Sequence, residues 1–131
     1  MINKELESKR WLDQARFDLS EAKGSLGRGS YAYTCFFAEQ AAQKFLKGFL
    51  ISRGERFVPL HSIKELLSKA AQYESKFNRL TAEGQKLDRY YLITRYPDAL
   101  PSPNTPYESY DKQEAREVLE ITEKIEKAVS G

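Results

Sequence analysis

The stretch from Ser30 to Leu50, SYAYTCFFAEQAAQKFLKGFL, constrains the fold more than any other part of this chain. An α-helix turns about 100° per residue, which places Thr34, Cys35, Ala38, Ala41, Ala42, Phe45 and Phe49 on one broad apolar face. Glu39, Gln40, Gln43, Lys44 and Lys47 gather on the other side, interrupted by Phe36 and Phe37. A face this wide belongs to the central element of a helical core. The alanines on it let neighbouring helices approach closely. The polar stripe Gln40, Lys44, Lys47 reads either as a solvated face or as one partly covered, by the bundle end or by a second subunit.

At 131 residues, with 40% apolar and 31% charged side chains, the sequence suits one soluble domain with its own core. A net charge of +2 gives no general case for nucleic-acid or membrane binding, so any basic site must be local. The single cysteine excludes an internal disulfide framework, and Cys35 reads as a small buried hydrophobe rather than a reactive thiol. The beginning, MINKELESKRW, lacks an apolar signal-peptide core. No apolar run approaches the ~20 residues that span a bilayer. The expected location is the cytoplasm.

In chain order, Asn3 caps a first helix to about Leu26, with Leu12, Ala15, Leu19, Ala22 and Leu26 as its inward stripe and Trp11 and Phe17 off its centre. Gly24, Gly27 and Gly29 end it. The segment GSLGRGS is not a phosphate-cradling loop: it lacks the GK[ST] ending and follows a helix. Ser30 caps the central helix, and Gly54 breaks it before a linker with Pro59. Ser62 and Glu65 have capping-box spacing before a short third helix through Ile63, Leu66, Leu67 and Ala70. After a break between Tyr73 and Asn78, a fourth helix presents Leu80, Gly84, Leu87, Tyr91 and Thr94 on one side. Pro97 stops it near Tyr96. The loop from Pro97 to Tyr110 holds four of the five prolines, a length that in a compact domain points to function or disorder. Asp111 and Glu114 cap a last helix with Ala115, Val118, Thr122, Ile125 and Val129 facing inward. No segment alternates with the period of a strand. The expected fold is one all-α domain over residues 1–131, an up-and-down antiparallel four-helix bundle with one additional short helix.

The only histidine, His61, excludes a multi-histidine metal site, and neither a metal nor a cofactor is expected. His61 stands just before a helix, where it caps backbone N–H groups, hydrogen-bonds across the bundle mouth, or titrates in a functional role. Arg56 precedes it by five positions, in the linker. A second constellation gathers Tyr90, Tyr91, Arg95, Tyr96 and Asp98 with Tyr107 and Tyr110 across the loop. Aromatic faces stack on bases and a guanidinium grips phosphate with paired hydrogen bonds. The alternative is that Arg95 pairs with Asp98 and the tyrosines pack the loop onto the bundle.

Taken in order, these residues form a recognisable pattern. Trp11, Ala15, Asp18, Leu19 and Ala22 come first; Tyr31, Cys35, Phe36 and the string AEQAAQKFLK follow; then come HSI with Leu66 and Leu67, and last Tyr91 with RYPD. The chain resembles, over nearly its whole length, the HEPN (higher eukaryotes and prokaryotes nucleotide-binding) domain family. The resemblance implies a helical bundle that pairs into a homodimer; separately, Phe36, Phe37, Trp11 and Phe17 are more apolar surface than one thin bundle hides, and the expected interface is Phe36, Phe37 and Gln40. The resemblance also implies a minimal nucleotidyltransferase encoded nearby as partner in a toxin–antitoxin-type pair. With RYPD matched and tyrosines around it, the expected nucleotide- or phosphate-binding site is Arg95, Tyr96, Asp98 and Tyr91 with Lys44 and Lys47. Several branches of the family are metal-independent RNases whose arginine is followed, after four to six residues, by a histidine. Arg95 matches that arginine, but Leu100, Pro101 and Ser102 stand where the histidine would be. General base catalysis at neutral pH needs a group titrating near seven, so the RNase reading requires His61 to reach Arg95 through space or from a second subunit. The expectation is a binding module rather than an enzyme, with a metal-independent endoribonuclease as the alternative.

Overall fold

The computed structural model describes residues 3–56, 58–91 and 96–131. Helix α1 (Lys4–Gly27) and helix α2 (Tyr31–Ser52) form a long antiparallel hairpin. Helix α3 (Ile63–Ala71) follows the linker, and helix α5 (Lys112–Ser130) closes the bundle against α2 and α1. Between α3 and α5 runs a composite helical segment: a 3₁₀ turn over Ser75–Leu80, a short helix α4 (Thr81–Gln85), and a second 3₁₀ turn over Lys86–Tyr90. The described residues contain no strand. The antiparallel all-α bundle is therefore the architecture.

Local chemistry accounts for most boundaries. The Asn3 side chain accepts hydrogen bonds from the N–H groups of Glu5 and Leu6, at 3.1 Å each, and starts α1. Gly29, at φ +78°, turns the chain from α1 into α2. Ser30 sits at the N-cap of α2, but its hydroxyl makes no cap bond; its carbonyl accepts from the N–H and the hydroxyl of Thr34. Ser62 accepts from Glu65 N–H at 3.3 Å, and Asp111 accepts from Glu114 N–H at 2.8 Å. Tyr96 is extended ahead of Pro97, as the proline requires. Thr94 and Arg95 lie outside the described residues.

The fourth helix departs from the single regular element expected. Its 3₁₀ winding at both ends lets Phe77, Gly84, Leu87 and Tyr90 all turn inward, which one straight α-helical stripe of that length would not do. Gly84 lies so close to α3 that an added Cβ would stand 2.3 Å from Leu67 Cδ1.

The core follows the predicted wheel of α2: Thr34, Cys35, Ala38, Ala41, Ala42 and Phe45 are fully buried. Thr122 of α5 donates to the Ala38 carbonyl at 2.9 Å, tying the two helices together. Burial first, then the nearby carboxylates of Glu114 and Asp111, push the Cys35 thiol up to about 12. Cys35 is thus an inert packing group. A thiol-specific reagent such as DTNB is expected to label it only as fast as the protein unfolds; rapid stoichiometric labelling of native protein would contradict that assignment.

Candidate functional site

The polar side of α2 is largely covered, and by this chain itself. Glu39 is fully buried, Gln43 and Lys47 nearly so. Helix α1 lies along part of this stripe. Asp18 takes the Lys44 ammonium in an ion pair and accepts from Gln14 Nε2 at 3.1 Å. The Glu39 carboxylate accepts from Gln40 Nε2 at 2.8 Å and from Gln43 Nε2. Buried polar groups persist only when their hydrogen bonds are satisfied, and this stripe satisfies them laterally. Lys44 is therefore engaged in holding α1 to α2, and Gln40 in holding Glu39.

Beyond Lys44 the stripe opens into a cleft of about 690 Å³ between the start of α1, the end of α2 and the linker before α3. Trp11, Ile51, Val58 and Pro59 form its apolar part, and Lys4, Glu7, Lys47, Glu55, Arg56 and His61 bring charge or titratable groups to it. The two acids are already matched. Glu7 accepts from Arg10 at 2.9 Å, and Glu55 accepts from Lys69 at 2.5 Å and Tyr73 at 2.6 Å. Among the described residues Lys4, Lys47 and Arg56 have no ion pair. The cleft thus carries excess positive charge beside an indole.

Lys47 is the unusual member. Its ammonium lies 5.6 Å from the centre of the Trp11 ring, a cation–π arrangement. Burial lowers its pKa, the Lys44 charge lowers it further, and Glu39 partly restores it. A buried ammonium next to another cation is short of negative charge, which is what an anionic ligand supplies.

His61 closes the other side. Its Nδ1 lies 3.4 Å from Gln43 Oε1, and its ring stacks on Tyr91 with centroids 5.4 Å apart and planes 21° from parallel. It does not cap α3: that task falls to Ser62 and to Asp88, which sequence reasoning missed. Asp88 accepts from Ser62 Oγ at 3.0 Å, Ile63 N–H at 2.5 Å and Lys64 N–H at 3.3 Å. An aspartate that caps a distant helix leaves no signal in local spacing.

The tyrosine constellation divides. Tyr90 donates to Glu114 and meets the buried Tyr110 edge-on at 5.7 Å, so both are packing groups. Tyr91 turns to His61. Tyr96 and Asp98 lie exposed at the 3₁₀ turn Pro97–Ala99, and Tyr107 is exposed across the loop. Arg95 lies outside the described residues. Phe36 and Phe37 are half-buried and pack on one another at 5.2 Å, while Phe17 on α1 is 58% exposed. Among the described residues no cluster of His, Cys, Asp and Glu could hold a metal ion, and no helix is long and apolar enough to cross a membrane.

Comparison with known proteins places this architecture. The HEPN domain pattern matches residues 8–131. The TT1696 protein of Thermus thermophilus is 41% identical, with a TM-score of 0.87 over 94% of this chain and 95% of that one. An archaeal HEPN homologue, ST0689, is 32% identical, with a TM-score of 0.76 over 95% of each chain. An HEPN domain protein of Thermotoga maritima is 28% identical, with a TM-score of 0.72 over 92% of this chain and 94% of its own. Human sacsin is 28% identical over 92% of this chain, which spans only 3% of sacsin's length. From the AEQAAQKFLK helix to the RYPD segment, in sequence and in fold, this chain belongs to the HEPN domain family.

Proposed function

We propose that this HEPN-domain protein binds a nucleotide or an RNA phosphate in the Trp11–Lys47–His61 cleft. Arg95, Tyr96 and Asp98, which follow Tyr91 by four, five and seven positions in the chain, are the further contacts of this proposal. One observation carries the reading: Lys4, Lys47 and Arg56 share with Trp11 a cleft whose acids are already paired to other groups. An aromatic surface beside unmatched cations suits a base with its phosphate. Tyr91 stacks on His61, which brings part of the expected constellation to the rim. Lys44 serves as a clamp on Asp18, and Lys47 is the lysine that meets the ligand.

The test is equilibrium binding of ATP, GTP and short RNA to the wild-type protein, Lys47→Met and Arg95→Ala. At least a tenfold loss, on the order of one charge-assisted hydrogen bond, is expected in each variant. Undiminished binding in both removes the site assignment. Lys47→Met has a second expected consequence. A cation whose pKa is depressed on folding carries a penalty at neutral pH, which fades only as pH rises from the folded towards the unfolded pKa. Removing that charge is expected to raise stability by about 1 kcal/mol at pH 7, measured by chemical denaturation. A less stable variant would show that Trp11 and Glu39 compensate the charge.

The protein acts, in this proposal, as a homodimer paired with a nucleotidyltransferase in a toxin–antitoxin-type system. Exposed Phe17 and Tyr33 and half-buried Phe36 and Phe37 support an apolar dimer face beyond what one bundle hides; light scattering at micromolar concentration reads it. Co-purification with the product of the neighbouring gene reads the partnership. The endoribonuclease reading keeps one supporting observation: the only histidine stacks on Tyr91, four positions before Arg95 in the chain. RNA cleavage leaving 2′,3′-cyclic ends, abolished by Arg95→Ala or His61→Ala, is the result that favours it.

A further inference from the structure

We propose that His61 is the hydrogen-bond acceptor of the cleft, its Nε2 left bare because Glu39, acting through Gln43, holds the proton on Nδ1, and that the donor it meets is a hydroxyl of the phosphate-bearing ligand. The ligand half of this proposal rests on the binding site described above; the tautomer half does not.

The chain of constraint begins at a carboxylate. Glu39 is fully buried and accepts hydrogen bonds from Gln40 Nε2 and Gln43 Nε2. The Gln43 amide turns its NH₂ towards this carboxylate. Its carbonyl oxygen then faces the other way, and the group it faces is His61 Nδ1, at 3.4 Å. An amide oxygen only accepts. The imidazole nitrogen opposite it must therefore carry the hydrogen, which in a neutral ring leaves Nε2 with a free lone pair. The stack on Tyr91 fixes the plane of the ring, while the contact with Gln43 fixes which edge turns inward. Together they leave the ring one orientation. Among the described residues Nε2 has no hydrogen-bond partner, and His61 lines the same cleft as Lys47 and Arg56. A site offering cations for an anion and one bare nitrogen for a donor is complementary to a phosphorylated sugar. Glu39 and Gln43 are positioning residues, since both act through His61.

The single histidine makes the experiment direct, because long-range ¹H–¹⁵N spectra of the ¹⁵N-labelled protein contain one imidazole. In the neutral form, wild type is expected to show a protonated Nδ1 and a bare Nε2, the opposite of the tautomer an untethered histidine prefers. Gln43→Met, which keeps the volume but removes the acceptor, is expected to revert to the Nε2–H form. A wild-type spectrum dominated by Nε2–H overturns the tether, and needs no variant to fold. An unchanged Nδ1–H tautomer in folded Gln43→Met overturns the role of Gln43. For the ligand half, adenosine monophosphate is compared with its 2′,3′-dideoxy analogue. The analogue is expected to bind about tenfold more weakly to wild type and equally well to His61→Ala. Equal binding of the two to wild type overturns the hydroxyl contact. If neither binds, the nucleotide reading of the cleft and this contact fall together, while the tautomer still decides the tether by itself.

Discussion

Asp88→Ala is expected to lose about 3 kcal/mol of stability, roughly 10 °C in melting temperature for a domain of this size. One carboxylate there receives three hydrogen bonds, from Ser62 Oγ and from the N–H groups of Ile63 and Lys64. The two amides are among those that open α3 and have no partner inside the helix. Negative charge at a helix N-terminus is also favoured by the helix dipole. Removing the carboxylate leaves Ser62 to cap α3 alone through Glu65 N–H, and it cuts the tie from the Lys86–Tyr90 turn to the start of α3. Asp88→Asn, whose amide oxygen can still accept, is expected to lose less than half as much. Denaturant titrations of the two variants measure both numbers, and a loss under about 0.5 kcal/mol for Asp88→Ala would show that solvent replaces the carboxylate. Faster hydrogen exchange is expected in α3 and spares the α1–α2 hairpin. Because Ser62 follows His61 directly, the same variant is expected to loosen the cleft and weaken ligand binding without touching a cleft residue.

How much of this was legible in the sequence depends on whether the signal was local. The α2 wheel was: small and apolar residues from Thr34 to Phe49 repeat at helical spacing, and the structure buries them. Caps at Asn3, Ser62 and Asp111 lie within three residues of the groups they satisfy. The fate of the polar stripe was not legible, because Gln43 meets His61 of the linker and Lys47 meets Trp11 of α1. Helical spacing reports that these residues share a side, not what lies over it. Asp88 and Gln43 reach their partners across 26 and 18 positions of chain, where no short pattern operates. The tyrosine-rich segment was legible as a cluster but not as roles. Only packing separates Tyr90 and Tyr110, turned inward, from Tyr91, turned to His61, and from exposed Tyr107. The proposed site accordingly rests on a cleft that α1, α2 and the linker build together, while Arg95 of the RYPD segment lies outside the described residues.

The crossing of α3 and α4 gives the second large effect. Gly84 is buried, and a Cβ there would stand 2.3 Å from Leu67 Cδ1 and 3.2 Å from Ile63 Cγ2. Leu67 and Ile63 are themselves fully buried, so neither can swing into solvent to make room. In Gly84→Ala the gain in helix propensity, about 1 kcal/mol, offsets part of an overpacking cost of about 1–3 kcal/mol. Gly84→Val adds two further methyl groups to the same space and is expected to lose about 3 kcal/mol. If close packing is the cause, a cavity opposite should relieve it. Leu67→Ala alone is expected to cost about 3 kcal/mol. Combined with Gly84→Val, it should cost less than the sum by about 2 kcal/mol, a coupling typical of side chains in direct contact. Strict additivity in that cycle would mean that Gly84→Val loses stability through something other than its contact with Leu67. The distinction reaches the site, because α3 begins two residues after His61. A bundle that must push α3 outward to admit a side chain at Gly84 also shifts the imidazole from Gln43 and Tyr91, so close packing predicts a disturbed His61 tautomer in Gly84→Val, and an unchanged tautomer would mean that α3 keeps its place.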